Sequence, residues 1–361
     1  MIKTSENAAE ALEGRTLKNG WRVTEKIGKT EDATGGFFSI CYIVTKENKK
    51  AFMKALNFIA FFQLFPGKSV IEVISEQTNA FQFEKELLLR CKNNRLSKVS
   101  MILDEGEENV DGFIIPNVPY LIFEMADGDI RSQMKFTKEL EVSWKLKSLH
   151  DVAVGLWQLH GIKIGHQDLK PSNVLIYKEG FASKIGDLGR SLCEDIKAPH
   201  DHGGFVGDFN YAPPEYLYNY NEPDFNLRIK ATDLYLFGSL VVFYFTGATM
   251  NSLLSKNIAK EFRWNNWRGS FHEVSDYLIN GFYKSLKEFR NGIEDNEISD
   301  SLEEIVEYCC FPIPPERGHH KSIKTTFDKE GKRKPKNNQY SLERAISKLD
   351  LLKRKSIYKY K

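Results

Sequence analysis

The hydrophobic pattern of this 361-residue chain changes period part-way along, and that change limits the folds open to it. Residues 21–27 and 39–45 are rich in β-branched and aromatic side chains on either side of a glycine-containing turn, which predicts a β-hairpin. Residues 51–56 read as a further strand, and 120–125 as a short apolar one. Between them, residues 77–91 carry Ala80, Phe83, Leu87 and Leu88 at helical spacing. The stretch before that helix, 58–78, is apolar and then polar, and reads as an extended insertion. Beyond Lys145 the period is helical, over 146–160, 232–245 and 279–289. The expectation is an α+β chain with a small β-rich lobe followed by a larger helical one. No internal repeat interrupts it. Residues 321–339, centred on GKRKPKNN, read as a polar loop. Residues 341–353 then recover an amphipathic period in which Leu342, Ile346, Leu349 and Leu352 predict one last docked helix.

Composition narrows the class. Hydrophobic residues make up 41% and charged residues 28%, the profile of a soluble chain with a sizeable core. The first 20 residues are polar and lack the apolar stretch of a signal peptide. The longest apolar run, 234–247, falls short of the roughly 20 residues that span a bilayer and is aromatic-rich, so a buried helix is expected there and no membrane span. Cys41, Cys91, Cys193, Cys309 and Cys310 are odd in number and scattered, without a C-x-x-C pair. That argues against a disulfide framework or zinc site and predicts a cytoplasmic protein. The net charge of +2 hides an asymmetry. Of 51 Lys and Arg and 49 Asp and Glu, residues 319–361 hold 14 and 4, leaving 37 and 45 upstream. Such a basic end is either a solvated face or a contact for an acidic or phosphate-rich partner.

The densest polar motif is H-Q-D-L-K-P-S-N at 166–173, with D-L-G following at 187–189. In these residues the chain resembles the eukaryotic-type serine/threonine protein kinases, whose catalytic loop reads H-R-D-L-K-P-x-N and whose D-F-G follows about a dozen residues later. The resemblance implies a two-lobed kinase fold and an enzyme that transfers the γ-phosphate of ATP, with Mg²⁺, to Ser or Thr hydroxyls of proteins. It also implies roles. Asp168 would accept the proton of the acceptor hydroxyl, Lys170 would offset charge on the transferring group, and Asn173 and Asp187 would hold Mg²⁺.

Further matches extend the resemblance over 21–317. A-F-M-K at 51–54 corresponds to V-A-I-K and implies that Lys54 pairs with the α- and β-phosphates. Its carboxylate partner should come from the following helix. Family spacing favours Glu86, with Glu84 the alternative, and two residues apart they cannot face the same way. Gly28 opens the glycine-rich loop and Gly36 begins its remainder. Ser39 stands in the third glycine's place and Cys41 in that of the valine above adenine, with extra residues in between. Residues 121–129 resemble the hinge. Phe123 would guard the back of the adenine pocket, backbone groups of Glu124 and Ala126 would read the base edge, and Asp127 or Asp129 would reach the ribose. Residues 207–215 align with G-T-x-x-Y-x-A-P-E, 233–238 with D-x-W-x-x-G and 314–317 with P-x-x-R. These imply that Asp233 holds the catalytic loop and that Glu215 pairs with Arg317. The organisation read this way is a polar N-terminal extension (1–20), small lobe (21–124), large lobe (127–317), basic insertion (318–340) and a C-terminal helix of the large lobe (341–361).

Three positions depart from the pattern. Gln167 replaces the arginine that binds a phosphate in kinases switched on through the activation loop, and 190–211 offers only Ser191 and Tyr211 as hydroxyl residues. Asp208 stands where a threonine bridges the catalytic Asp and Lys, so its carboxylate should approach Lys170 and repel Asp168. Leu188 keeps an apolar side chain in the middle of D-L-G. A nucleotide-binding scaffold without turnover and a small-molecule phosphotransferase are the competing readings. Retention of Lys54, Asp168, Lys170, Asn173 and Asp187 speaks against the first, and the full 207–215, 233–238 and 314–317 set against the second.

Overall fold

Antiparallel strands whose side chains alternate between two faces need a cover on each face. Here one cover comes from a segment that the sequence alone places outside the domain. The computed structural model describes residues 7–28, 39–136, 140–327 and 329–359. The chain divides into two compact units, Met1–Arg95 with Ser100–Asp127, and Leu96–Val99 with Gly128–Lys361. In the first unit, β1 (Arg22–Lys26), β2 (Ser39–Lys46), β3 (Lys49–Leu56), β4 (Ile102–Asn109) and β5 (Asn117–Glu124) form one sheet in the order β1-β2-β3-β5-β4. All neighbours are antiparallel, with Tyr42 opposite Met53 and Met53 opposite Ile122. One face buries Ile40, Tyr42, Val44, Ala51, Met53, Ala55, Val118, Tyr120 and Ile122.

Residues 8–21 cover that face. Ala8, Ala9, Leu12, Leu17 and Trp21 are buried in the same cluster, and the Tyr42 hydroxyl donates to Ala9 O at 2.7 Å. This corrects the reading of residues 1–20 as an extension: the described part of that segment is core. Its apolar residues sit in a single 3₁₀ turn (Ala8–Glu10) and in loop, so they carry no period to read. The segment 58–78 also differs from expectation. It holds a short helix α1 (Phe58–Leu64) and the first turns of α2 (Val70–Asn93), which Ser69 caps by accepting from Glu72 N.

The second unit begins with β6 (Gly128–Asp129), α3 (Ile130–Phe136), α4 (Val142–Gly161) and β7 (Ile164–Gly165). There follow β8 (Val174–Tyr177), β9 (Ala182–Ile185), β10 (Leu192–Cys193), α5 (Pro214–Leu217) and α6 (Phe225–Thr246). Then come α7 (Met250–Asn257), α8 (Phe271–Asn291), α9 (Asn296–Cys310), β11 (Ile323–Phe327), β12 (Arg333–Asn337) and α10 (Glu343–Lys359). Helix α6 is buried around its whole circumference, as an apolar run of this length requires in a core. It is the one described helix long and apolar enough to cross a membrane. Asp224 caps its start, and Gly247 ends it in the left-handed conformation at φ 73°.

The C-terminal 44 positions after Arg317 belong to this unit and not to an appendage. Residues 321–339, expected as a loop, contain the antiparallel hairpin β11–β12, with Thr325 opposite Pro335. Its base is tied by His319 N to Gln339 O at 2.9 Å and Asn338 N to Ser322 O at 3.0 Å. Such a hairpin rests on backbone pairing, which a run of lysines does not announce. Helix α10 packs on α4, with Leu342 just before it and Ala345, Leu349 and Leu352 within it all buried, and Trp157 Nε1 donates to Glu343 at 3.2 Å.

Candidate active site

The catalytic-loop residues are held by one buried carboxylate. Asp233, fully buried on α6, accepts from His166 N at 2.9 Å, from Gln167 N at 2.8 Å and from Gln167 Nε2 at 2.9 Å. His160, at the end of α4, meets the same carboxylate at 2.8 Å. Gln167 Nε2 also donates to Ile229 O at 2.9 Å. A charged acceptor with several donors is among the stronger anchors a loop can have. Next to it, Asp168 N donates to His166 Nδ1 at 3.2 Å, so the His166 proton sits on Nε2, which donates to Gly186 O at 2.9 Å. That bond joins the H-Q-D stretch to the D-L-G stretch.

On this frame the expected chemistry converges. Asn173 Nδ2 donates to Asp168 O at 2.8 Å and to Asp168 Oδ2 at 3.1 Å. Lys170 Nζ lies 3.1 Å from Asp168 Oδ2 and 3.4 Å from Asp208 Oδ2. Asp208 presents its backbone N–H to Asp168 Oδ1 at 2.8 Å. The expected repulsion between the two acids is therefore met by a lysine between their carboxylates and a peptide dipole turned toward Asp168. Gly207 makes the approach feasible. A Cβ there would lie 2.3 Å from Gln167 O and 3.1 Å from Asp168 Oδ1. Gly186 N donates to Asn173 O at 2.8 Å, which sets Asp187 beside Asn173. Gln167 (φ 65°) and Asp187 (φ 59°) are both left-handed non-glycine residues, the kind of backbone strain that collects at functional sites. Leu188 is fully buried, so it keeps the apolar role of the residue it replaces.

With its amide nitrogen committed to Asp168, Asn173 has its amide oxygen as the donor for a cation. The adjacent Asp187 adds a carboxylate, and this hard-oxygen pair fits Mg²⁺. Among the described residues no group of three or more His, Cys, Asp or Glu is placed to hold a metal ion.

Further out, Arg317 and Glu215 form a bidentate pair at 3.0 and 2.8 Å, both buried, and Arg317 also donates to Ala231 O, Phe311 O and Pro312 O. Burial alone would lower the guanidinium pKa, but the Glu215 charge and hydrogen bonds raise it overall. Sequence reasoning missed two supports. His160 shares the Asp233 carboxylate, and Asn251 on α7 donates to Ala212 O at 2.9 Å while accepting from Tyr235 at 2.6 Å. Each is a lone polar residue on a helix, and neither belongs to a motif. Ser191 is fully buried, its hydroxyl directed at His166 O. His200 Nε2 meets Ser191 O at 3.0 Å; burial and the Arg190 charge push its pKa down, so it is a neutral donor there.

In the first unit, Ser39, Cys41, Lys54 and Phe123 share the sheet face opposite residues 8–21, with Cys41 paired to Lys54 and Lys54 to Leu121. Lys54 Nζ lies 3.0 Å from Glu84 Oε1. Glu86 is exposed, which corrects the expectation that it would be the partner. The buried residues of α2, among them Phe81, Leu87, Leu88 and Cys91, fix the helix phase with Glu84 in the middle of the inward arc. Two residues turn about 200° on a helix, so Glu86 points away.

The hinge positions are more mixed. Phe123 is buried and tilts against Phe52 at 6.4 Å. Glu124 N donates to Met101 O at 3.1 Å, so the backbone group it can offer a base is its carbonyl. Ala126 is half-buried and Asp127 exposed. Asp129, expected at the ribose, takes both Ser132 donors, N at 2.9 Å and Oγ at 3.0 Å, and so caps α3. Gly28 is exposed two residues beyond β1, and Gly36 lies outside the described residues.

The buried acid–lysine–amide cluster on the clamped loop of the second unit is the arrangement of a phosphotransferase of the kinase kind; in the first unit, Lys54 of the sheet pairs with Glu84 of α2. The chain belongs to the protein kinase domain family, which matches residues 45–326. The match begins within β2, after Gly28, Gly36, Ser39 and Cys41. The chain is similar to the putative cysteine-rich receptor-like protein kinase 33 of Arabidopsis thaliana, 29% identical over 224 residues, 58% of this chain and 32% of that one. Calmodulin-binding receptor-like cytoplasmic kinase 1 of the same plant is 29% identical over 175 residues, 46% and 34% of the two chains. The serine/threonine-protein kinase/endoribonuclease IRE1 of Oryza sativa subsp. japonica is 38% identical over 104 residues, 28% of this chain and 11% of that one. The chain spans about a third or less of the length of these relatives.

Proposed function

We propose that this chain is an active protein kinase that transfers the γ-phosphate of ATP to Ser or Thr hydroxyls, in step with the serine/threonine form of its L-K-P-S-N motif. The observation that carries the reading is Asp168. Its Oδ2 is held by Asn173 and Lys170 and its Oδ1 by the Asp208 N–H, on a loop clamped by Asp233. A scaffold would need none of this arrangement. Asp168 takes the proton of the acceptor hydroxyl as its oxygen bonds to phosphorus and the bond to the ADP oxygen breaks. Lys170 balances charge on the oxygens of the transferring group, and Lys54, fixed by Glu84, binds the α- and β-phosphates. Asn173 and Asp187 would hold Mg²⁺, which would supply charge neutralisation along the phosphates. The test is mass spectrometry of peptides bearing one Ser, one Thr or one Tyr after incubation with the protein, ATP and Mg²⁺. Phosphate on Ser or Thr supports the reading, and none on any peptide refutes it.

No disulfide joins any of the five cysteines, which is in keeping with a reducing, cytoplasmic compartment. We also propose that the basic C-terminal segment contacts an acidic or phosphate-rich partner, on the strength of its +10 surplus. Retention on a polyanionic resin should fall with added salt, and fall less steeply for Lys332→Glu/Lys334→Glu/Lys336→Glu. Equal salt dependence of the two proteins would rule that contact out.

A further inference from the structure

The reacting centre of this chain carries a charge that its fold does not balance. Asp168 and Asp208 place two carboxylates on a single ammonium, Lys170, at 3.1 and 3.4 Å. The remaining partners of Asp208 are the neutral N–H and amide of Asn210, at 3.1 and 3.0 Å, and those of Asp168 are the equally neutral amide of Asn173 and backbone N–H of Asp208. The next acid along the segment, Asp201, is already matched by Arg228 at 3.1 Å. So the surplus negative charge is localised at Asp208, whose side chain is 17% exposed and one peptide unit from the catalytic carboxylate. A threonine at that position would leave Asp168 and Lys170 balanced.

Resting on the kinase reading above, we propose that Asp208 is a specificity-determining residue that makes this enzyme select acceptors with a Lys or Arg directly beside the phosphorylated Ser or Thr. The acceptor hydroxyl must come to Asp168, so the residues flanking it pass close to Asp208. In a site so little exposed, a carboxylate that shares its lysine with a second acid interacts strongly with whatever charge arrives. A cationic neighbour supplies the missing balance. An acidic neighbour meets repulsion, which rejects the wrong partner as effectively as contact favours the right one.

The experiment measures kcat and KM for four peptides that differ only beside the Ser, carrying Lys before it, Lys after it, Ala on both sides or Glu on both sides. The full chain is used as wild type, Asp208→Asn and Asp208→Thr. The proposal expects wild type to favour one of the Lys peptides over the Ala peptide by at least about tenfold in kcat/KM, with the gain mostly in KM. Both substitutions should shrink that ratio severalfold, whatever their effect on absolute rate, because the ratio cancels a general loss of catalytic geometry. A wild-type preference that survives in both variants would assign the selection elsewhere and overturn the proposal. So would equal use of the Lys and Ala peptides by wild type with a rate that climbs as Mg²⁺ is raised past ATP saturation, since the charge would then be met by metal. Turnover on none of the peptides would instead refute the kinase reading itself.

Discussion

Lys54 and Glu84 form an ion pair at 3.0 Å in the first unit, and the pairing makes a sharp prediction. Glu84→Gln should lower kcat/KM for ATP by about 10–100-fold, because Lys54 loses the charge that fixes it, whereas Glu86→Gln should change it less than about twofold. Steady-state kinetics on both variants decides the assignment. The helix phase that settles it was legible. Ala80, Phe83, Leu87 and Leu88 already place Glu84 nearer the apolar arc than Glu86, and family spacing points to the wrong one of the two. Asp151 offers a second test. Burial would raise its pKa, but hydrogen bonds from His150, Lys98 and the Ser183 N–H, with the Lys98 charge, hold it well below the usual carboxylate range. A carboxyl depressed in the folded state adds stability that is present above its unfolded pKa of about 3.9 and is lost as pH falls below it. Asp151→Asn should therefore cost stability at pH 7 and narrow the gap to wild type as pH drops below about 4, read by thermal melts across that range. Asp151 carried no motif; Lys147 pairs with it one helical turn away, but its partners Lys98 and Ser183 lie 53 and 32 positions away and nothing local disclosed them.

Among the elements, the segment over residues 8–21 is part of the first unit's core. Leu12 is fully buried against the sheet, so Leu12→Ala should destabilise the protein by about 2–5 kcal/mol, measured by denaturant unfolding. A loss below about 0.5 kcal/mol would mean that the segment is no part of the core. This element was illegible because a 3₁₀ turn and loop have no hydrophobic period, while the strands and long helices beside it do. The β11–β12 hairpin escaped notice for a related reason: lysine-rich strands paired by backbone lack the alternation that marks a half-buried strand. The final helix α10 was visible because its apolar stripe faces α4, and its buried positions are nearly those the period picks out.

At the scale of the whole molecule, the switch from strand to helix period foretold the order of elements, and the catalytic motif foretold which loop they would support. What the sequence could not disclose is how Gln167 is used. Its amide is buried and committed to Asp233 and Ile229, so the catalytic loop is fastened from within and offers no cation to a phosphate. With Ser191 buried as well, turnover should be unchanged within about twofold after phosphatase treatment that mass spectrometry shows to have cleared residues 190–211. A fall of more than about tenfold would contradict this. The central claim, that Asp168 performs proton transfer and does not hold nucleotide, is met most directly by one paired measurement on Asp168→Ala. Phosphate transfer from labelled ATP to a Ser peptide should drop by about 10²–10⁴-fold while the Mg·ATP-induced rise in melting temperature stays as in wild type. An Asp168→Ala protein that keeps near-wild-type turnover, or one that loses the Mg·ATP shift together with activity, would contradict the account.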